Sequence, residues 1–335
     1  MSTLVPTGKA FIYSSPNFVW REEYKLKHSL GSREVCLQTI HAALNPIDYK
    51  VPELLPFWLM FKGKPIGHDV CGRVIAVGSR VTDLKVGDLV FGVAPACSEY
   101  TVATEDQLVK ISEGSDTAVH ASLPGAGCTA LHMLERSRVL EESTTPRTIV
   151  IIGASGGVGS CVVQIAKRKL PKNSSIIAVC SRKSTDYVKS IGATQVVDYT
   201  VPSFSISAAI PIGSVDAVFD TVTSPDDPDY VTEGMKLLKE TTGRYIAINT
   251  KSQTEWIRAG FARQTGWNVL GRRQYELIMV NQSKAYLEEL RDLVKSGMLR
   301  INIQEEVSFT ESGIKEGFAL LKDRHVLGKV VVRIM

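Results

Sequence analysis

At 335 residues, with 44% hydrophobic and 22% charged residues, the chain has the make-up of a folded globular protein large enough for two cores. A formal charge of +4, spread along the chain, gives no concentrated basic face, so neither nucleic acid nor a membrane is an expected partner. The start, MSTLVPTGKAFIYSSP, lacks the pattern of a secretory signal, and no apolar run approaches about eighteen residues. The expectation is a cytoplasmic protein, an organelle being the alternative. Its six cysteines (Cys36, Cys71, Cys97, Cys128, Cys161, Cys180) form no CxxC and no Cys/His cluster, and read as reduced, mostly buried thiols.

Up to about residue 120 the chain reads as β-rich. Short apolar segments (Val35–Ala42, Val70–Val77, Leu89–Phe91, Glu99–Thr101) are separated by Gly, Pro and Asp turns, which fits a small barrel-like domain. After Pro124 strands alternate with amphipathic helices. TIVIIG leads into a helix over Val158–Leu170, and IIAVCS into a helix over Thr185–Ile191. VVDY, VDAVFD, a helix over Tyr230–Leu238 and RYIAIN follow. Such alternation predicts a parallel sheet covered on both faces. The tail adds helices over Ser283–Lys295 and Ser312–Lys322 and a strand over Lys329–Ile334, which returns the chain to its first domain. The expected organisation is residues 1–125 with 283–335 as one domain, and 126–282 as the other.

The sharpest motif is Gly153-Ala154-Ser155-Gly156-Gly157-Val158-Gly159, directly after the strand Ile149–Ile152. Strand, glycine turn and helix form the context in which backbone N–H groups and a helix N-terminus meet a pyrophosphate. Ser155, Gly156, Gly157 and Val158 are the candidate contacts, with Gly159 allowing the helix to pack on the strand. The second strand ends in Ser181-Arg182-Lys183, where an NAD site usually carries an acid. Ser, Arg and Lys suit a 2′-phosphate instead, so NADPH is the expected cofactor. The alternative is that Arg182 and Lys183 are solvated charges at a helix start.

Taken together the motifs resemble the medium-chain dehydrogenase/reductase superfamily, in its quinone oxidoreductase and enone reductase branch. Asn45-Pro46-Ile47-Asp48 matches N-P-x-D, Gly67–Val74 matches G-x-D-x-x-G-x-V, and Val86–Val90 matches V-G-D-x-V. Ala154–Gly159 matches A-x-G-G-x-G and Gly328–Val331 matches the terminal G-K-x-V. The resemblance implies an α/β protein: a GroES-like β-barrel domain, a Rossmann domain with a doubly wound parallel sheet, and an active cleft between them. It places Asn45 near the nicotinamide, Thr129 after a loop at the domain junction, and Lys183 and Tyr199 at the 2′-phosphate. Thr221 with Val222, Asn249 with Ile248, and Lys329 are further cofactor candidates. Each has a plainer reading. Asn45 and Asn249 suit turns, Thr129 a helix cap, Tyr199 a half-buried loop, Asp69 a structural acid and Lys329 a strand edge.

Zinc-dependent relatives need Cys or His and an acid converging on the metal. Here Asn45-Pro46 stands where a cysteine ligand would be, and Pro124-Gly125-Ala126-Gly127 offers no third ligand. His68 is left by itself, so no metal is expected. Without a Lewis acid the substrate must accept hydride readily, as a quinone or an α,β-unsaturated carbonyl does. Tyr49 is the candidate proton donor, Lys50 a weaker one. The run Leu54–Phe61 and the Trp267 and Tyr275 region are candidate pocket walls. The leading expectation is NADPH-dependent quinone reduction by a homodimer, with enone reduction and a non-catalytic NADPH-binding sensor as alternatives.

Overall fold

A computed structural model describes residues 5–14, 17–50, 61–202, 204–223, 228–252, 254–256, 274–280 and 282–335. Most of the expected pocket-wall run Leu54–Phe61, and Trp267, lie outside the described residues. The chain divides into two compact units, Met1–Cys128 with Gln282–Met335, and Thr129–Asn281.

In chain order the first unit opens with a hairpin, β1 (Gly8–Ser14) and β2 (Asn17–Tyr24). Then come β3 (Glu34–Leu44), α1 (Pro46–Lys50), β4 (Asp69–Val77), β5 (Leu89–Val93), β6 (Tyr100–Thr104) and β7 (Leu108–Lys110). Helices α2 (Thr117–Ala121) and α3 (Leu123–Ser137) follow. The second unit carries β8 (Thr148–Ile152), α4 (Gly157–Lys169), β9 (Ser175–Cys180), α5 (Thr185–Ser190), β10 (Gln195–Asp198) and α6 (Ile206–Ala209). It continues with β11 (Ala217–Asp220), α7 (Tyr230–Leu237), β12 (Arg244–Ala247) and β13 (Tyr275–Leu277). The tail supplies α8 (Lys284–Lys295), β14 (Ile303–Ser308), α9 (Glu311–Asp323) and β15 (Lys329–Arg333).

The first unit's main sheet runs β14-β15-β3-β4-β5-β7, with β6 also pairing β3. Strand β3 is long and flanked on both sides, so the residue after it, Asn45, leaves the sheet from its centre. The tail strand β15 pairs antiparallel with β3, setting Val330 opposite Leu44. This register brings Lys329 to the end of β3. Apolar alternation drives the assembly: Phe11, Leu37, Leu44, Val70, Val90, Val330 and Phe318 share one buried cluster.

The second unit is a parallel sheet in the order β10-β9-β8-β11-β12-β13. Strand β8 reads TIVII, with Ile149 to Ile152 buried, as expected of a strand covered on both faces. Sequence order runs outward in both directions from the β8–β11 pair. That pair is the topological switch point, and ligands meet such sheets at the carboxyl ends of the strands there.

One expectation is corrected. Pro124–Gly127 is not a loop before a cap at Thr129; it forms the first turns of α3, with buried Thr129 in the helix interior. Proline is tolerated in a first turn, where its missing N–H costs no helix bond. The glycines are there for close packing. A Cβ on Gly125 would lie 2.6 Å from Asp69 Oδ2, and one on Gly127 2.6 Å from Leu290 Cδ2.

Candidate functional site

The second unit's part of the site begins where β8 ends. Gly153 turns the chain at φ +79°, and a Cβ there would meet Val222 Cγ1 at 2.4 Å and Thr221 Oγ1 at 2.6 Å. Thr221 stands at the end of β11 and its hydroxyl donates to the Ile152 carbonyl at 2.8 Å, tying the two switch-point strands together. Gly159 is equally constrained, since its Cβ would lie 2.2 Å from the Gly153 carbonyl oxygen. Gly156 differs. It is the N-cap of α4, no side chain caps it, and an added Cβ would meet only Gly153 O, at 3.5 Å. Ser155, Gly156, Gly157 and Val158 are all partly exposed. A helix N-terminus whose first N–H groups no described residue takes, with room beside its glycine, is a cradle that a diphosphate fits.

At the end of β9, Ser181 begins a short 3-10 turn over Arg182–Ser184, and the Ser181 and Ser184 hydroxyls are 3.3 Å apart. Arg182 and Lys183 are exposed. The next strand over ends in Asp198. Its carboxyl is held below the ordinary range by hydrogen bonds from Thr200, and after these by the backbone and charge of Arg182. Arg182 is therefore partly answered by an acid from β10, and among the described residues Lys183 is in no ion pair. Tyr199 follows Asp198; its N–H donates to the Cys180 carbonyl at 3.2 Å and its half-buried side chain packs against the second core. Asn249 lies past β12, where its Oδ1 accepts the N–H of Thr250 at 3.0 Å.

A residue the sequence reading passed over holds this edge in shape. Asp220, fully buried at the end of β11, accepts the Tyr245 hydroxyl at 2.7 Å and the N–H groups of Val222 and Thr223 at 3.0 Å each. An acid closing an otherwise apolar strand, VDAVFD, was the available signal.

The first unit gathers another set. The Asn45 carboxamide donates through Nδ2 to Asp69 Oδ2 at 2.8 Å and accepts from Lys329 Nζ through Oδ1 at 2.5 Å. A carboxylate on one side and an ammonium on the other allow only this amide orientation. Asp69 and Lys329 are both buried, 3.6 Å apart, and Lys329 also donates to the Leu44 carbonyl at 3.2 Å. Burial pushes the Asp69 carboxyl up; the charge of Lys329 and the hydrogen bonds from Asn45 and Gly125 oppose this, and the net shift is upward. The Gly125 N–H lies in the first turn of α3, where the helix itself supplies no carbonyl for it. On the other side of Asn45, its own N–H donates to Asp48 Oδ2 at 2.8 Å, and Asp48 Oδ1 meets His68 Nδ1 at 3.0 Å.

The candidates therefore fall into two groups. Ser155–Val158, Ser181–Lys183, Tyr199, Thr221 and Asn249 lie at one sheet edge of the second unit; Asn45, Lys329, Asp69, Asp48 and His68 interlock in the first. Thr129 is inside α3, and Tyr275 is buried in β13 with its hydroxyl donating to Glu255 at 3.2 Å. Tyr49 does not join its neighbours: its ring is buried in the core, edge-on to Phe318 at 5.8 Å, with Lys322 Nζ 5.1 Å above it. Lys50 is exposed at the end of α1. All six cysteines are buried and none forms a disulfide. Among the described residues no helix is long and apolar enough to cross a membrane.

Residues 31–139 match the alcohol dehydrogenase GroES-like domain, and residues 191–332 match the family described as zinc-binding dehydrogenase. A chloroplast envelope quinone oxidoreductase homolog from Arabidopsis thaliana is 31% identical over 311 residues, covering 90% of each chain. The chain belongs to the medium-chain dehydrogenase/reductase superfamily. This family member is an oxidoreductase with a GroES-like unit and a Rossmann-like parallel sheet. It is also 29% identical to a trans-enoyl reductase of Aspergillus terreus, over 99% of this chain and 98% of that one. An NADPH-dependent alkenal/one oxidoreductase of A. thaliana is 28% identical over 97% of this chain and 79% of its own. Among solved structures, the quinone oxidoreductase from Coxiella burnetii superposes with a TM-score of 0.78 at 27% identity, over 98% of this chain and 99% of that one.

Proposed function

We propose that this oxidoreductase reduces a quinone with NADPH and without zinc. The observation that carries the reading is the pairing of the glycine cradle at Gly156 with Ser181 and Lys183, where a carboxylate would select NAD. Ser155–Val158 would hold the diphosphate, and Ser181, Lys183 and Tyr199 the 2′-phosphate. Thr221 and Asn249 would line the nicotinamide half. Bound there, NADPH supplies a hydride from its nicotinamide. The chain's own task is to orient the acceptor, exclude water and provide a proton.

The donor set supports a metal-free reaction. The position of a cysteine ligand holds Asn45, whose carboxamide is spoken for by Asp69 and Lys329. His68 is engaged by Asp48, and among the described residues no group of three or more His, Cys, Asp or Glu side chains is placed to hold a metal ion. Reduction of the C=C bond of an α,β-unsaturated carbonyl is the second reading, favoured by the trans-enoyl reductase and alkenal/one oxidoreductase relatives. Both acceptors spread the arriving charge onto an oxygen, so neither needs a Lewis acid. By family habit the protein works as a homodimer, and the cytoplasm is where we place it.

The test is steady-state oxidation of NADPH against benzoquinone, phenanthrenequinone and simple enones. Turnover with quinones exceeding that with enones supports the first reading, the reverse order supports the second, and no turnover with any acceptor despite NADPH binding overturns both.

A further inference from the structure

In the first unit a buried carboxylate holds a partly exposed histidine. Asp48 is buried and bridges two groups, accepting the Asn45 N–H with one oxygen and holding His68 Nδ1 with the other. The His68 side chain is 38% exposed, and Phe61 packs edge-on against its ring at 5.7 Å. With Nδ1 fixed on a carboxylate, the ring orientation is set and Nε2 is directed away from Asp48. Nε2 has no hydrogen-bond partner among the described residues. This is the arrangement in which a buried carboxylate orients an imidazole and stabilises its protonated form. Tyr49, by contrast, is packed into the core.

We propose that His68 is the proton donor of the reduction, with Asp48 as its positioning residue. The proposal rests on the reading of the protein as a conjugated-carbonyl reductase. Hydride arriving at the electron-poor carbon forms a C–H bond, and the displaced electron pair moves through the conjugated system to oxygen. The Nε2–H bond of the His68 imidazolium then breaks, and its proton forms an O–H bond on the quinone-derived enolate, whose tautomerisation yields the hydroquinone, or a C–H bond on the enolate carbon of an enone. The cofactor has given up one hydride, which carries two electrons and one proton; the acceptor has gained these and a second proton from His68, and neutral His68 recovers a proton from water.

The charges around the ring agree with this role. Burial pulls the His68 imidazole down, but the hydrogen bond and charge of Asp48 and the charge of Asp69 outweigh it, and the net shift is upward. Behind these carboxylates stand Lys329, 3.6 Å from Asp69, and Cys97, whose thiol burial and the charge of Asp48 push up. The imidazolium thus persists to higher pH than in an ordinary histidine.

The experiment compares wild type with His68→Gln, which keeps a donor to Asp48 but no titrating proton, and with Asp48→Asn. In wild type kcat should fall as pH rises through the His68 pKa, since the acid form is lost on that side. His68→Gln should lower kcat at neutral pH by about 100-fold, in the range of general acid catalysis. It should also flatten the pH profile, leave KM and NADPH affinity within about twofold, and recover part of the rate with added imidazole. Independently of turnover, an NMR titration of the imidazole should place His68 above the ordinary histidine value, and Asp48→Asn should bring it down. His68→Gln with wild-type kcat and pH profile, beside an active wild type, would overturn the donor role and leave the reductase reading intact. So would a His68 titrating at or below the ordinary value. A wild type that binds NADPH yet reduces no acceptor would instead remove the functional reading, and the donor role with it.

Discussion

The glycine loop of the second unit and the polar cluster of the first are built in opposite ways. The loop relies on backbone and empty space: Gly153 and Gly159 are hemmed in by carbonyls and side chains, whereas Gly156 faces an opening. The cluster relies on buried charge, with Asp69 and Lys329 holding one carboxamide between them. A surface made of N–H groups binds an anion without placing a charge of its own in the protein interior. A buried ion pair brings orientation at the risk that either partner, left by itself, becomes costly.

This contrast sets the order of expected effects. Lys329→Met removes the cation and leaves a buried carboxylate uncompensated, so urea denaturation should show a loss of about 3–5 kcal/mol. Adding Asp69→Asn to that variant should return most of the loss; a double variant no more stable than the single would mean the cluster is held by something else. The loop should split by position. Gly153→Ala meets Val222 and a positive φ and should cost about 1–3 kcal/mol in the same assay. Gly156→Ala should leave stability nearly unchanged, because its Cβ makes only an ordinary contact with Gly153 O at 3.5 Å, but should weaken NADPH binding measured by fluorescence titration. Equal stability losses at the two glycines would erase the distinction. Smallest is Lys183→Ala, which should reduce NADPH affinity about tenfold, roughly 1.4 kcal/mol, with NADH affinity unchanged.

The same contrast governs what was legible in the sequence. The cofactor edge is local: strand, glycine turn, helix and the Ser181–Lys183 run follow one another, and periodicity placed α4, α5 and α7 to within a residue. Asn45, Asp69 and Lys329 were each visible singly, but they are separated by 24 and 284 positions, and only the β3–β4 and β3–β15 registers bring them together. Read alone, Lys329 looked as much like a strand-edge charge as a site residue. Pro124–Gly127 misled for a related reason. Glycine stands in this helix because Asp69 and Leu290 leave no room for a Cβ, a tertiary demand that outweighs its poor helix propensity. Asp198 and Asp220 were missed because their roles depend on which strands become neighbours.

The account's central claim is hydride transfer from NADPH to a conjugated carbonyl without a metal. The measurement that tests it most directly is NADPH and NADH oxidation by chelator-treated protein, with a quinone and an enone as acceptors. The account predicts turnover that chelation leaves unchanged and a clear preference for NADPH. Turnover abolished by the chelator and restored by zinc would contradict it.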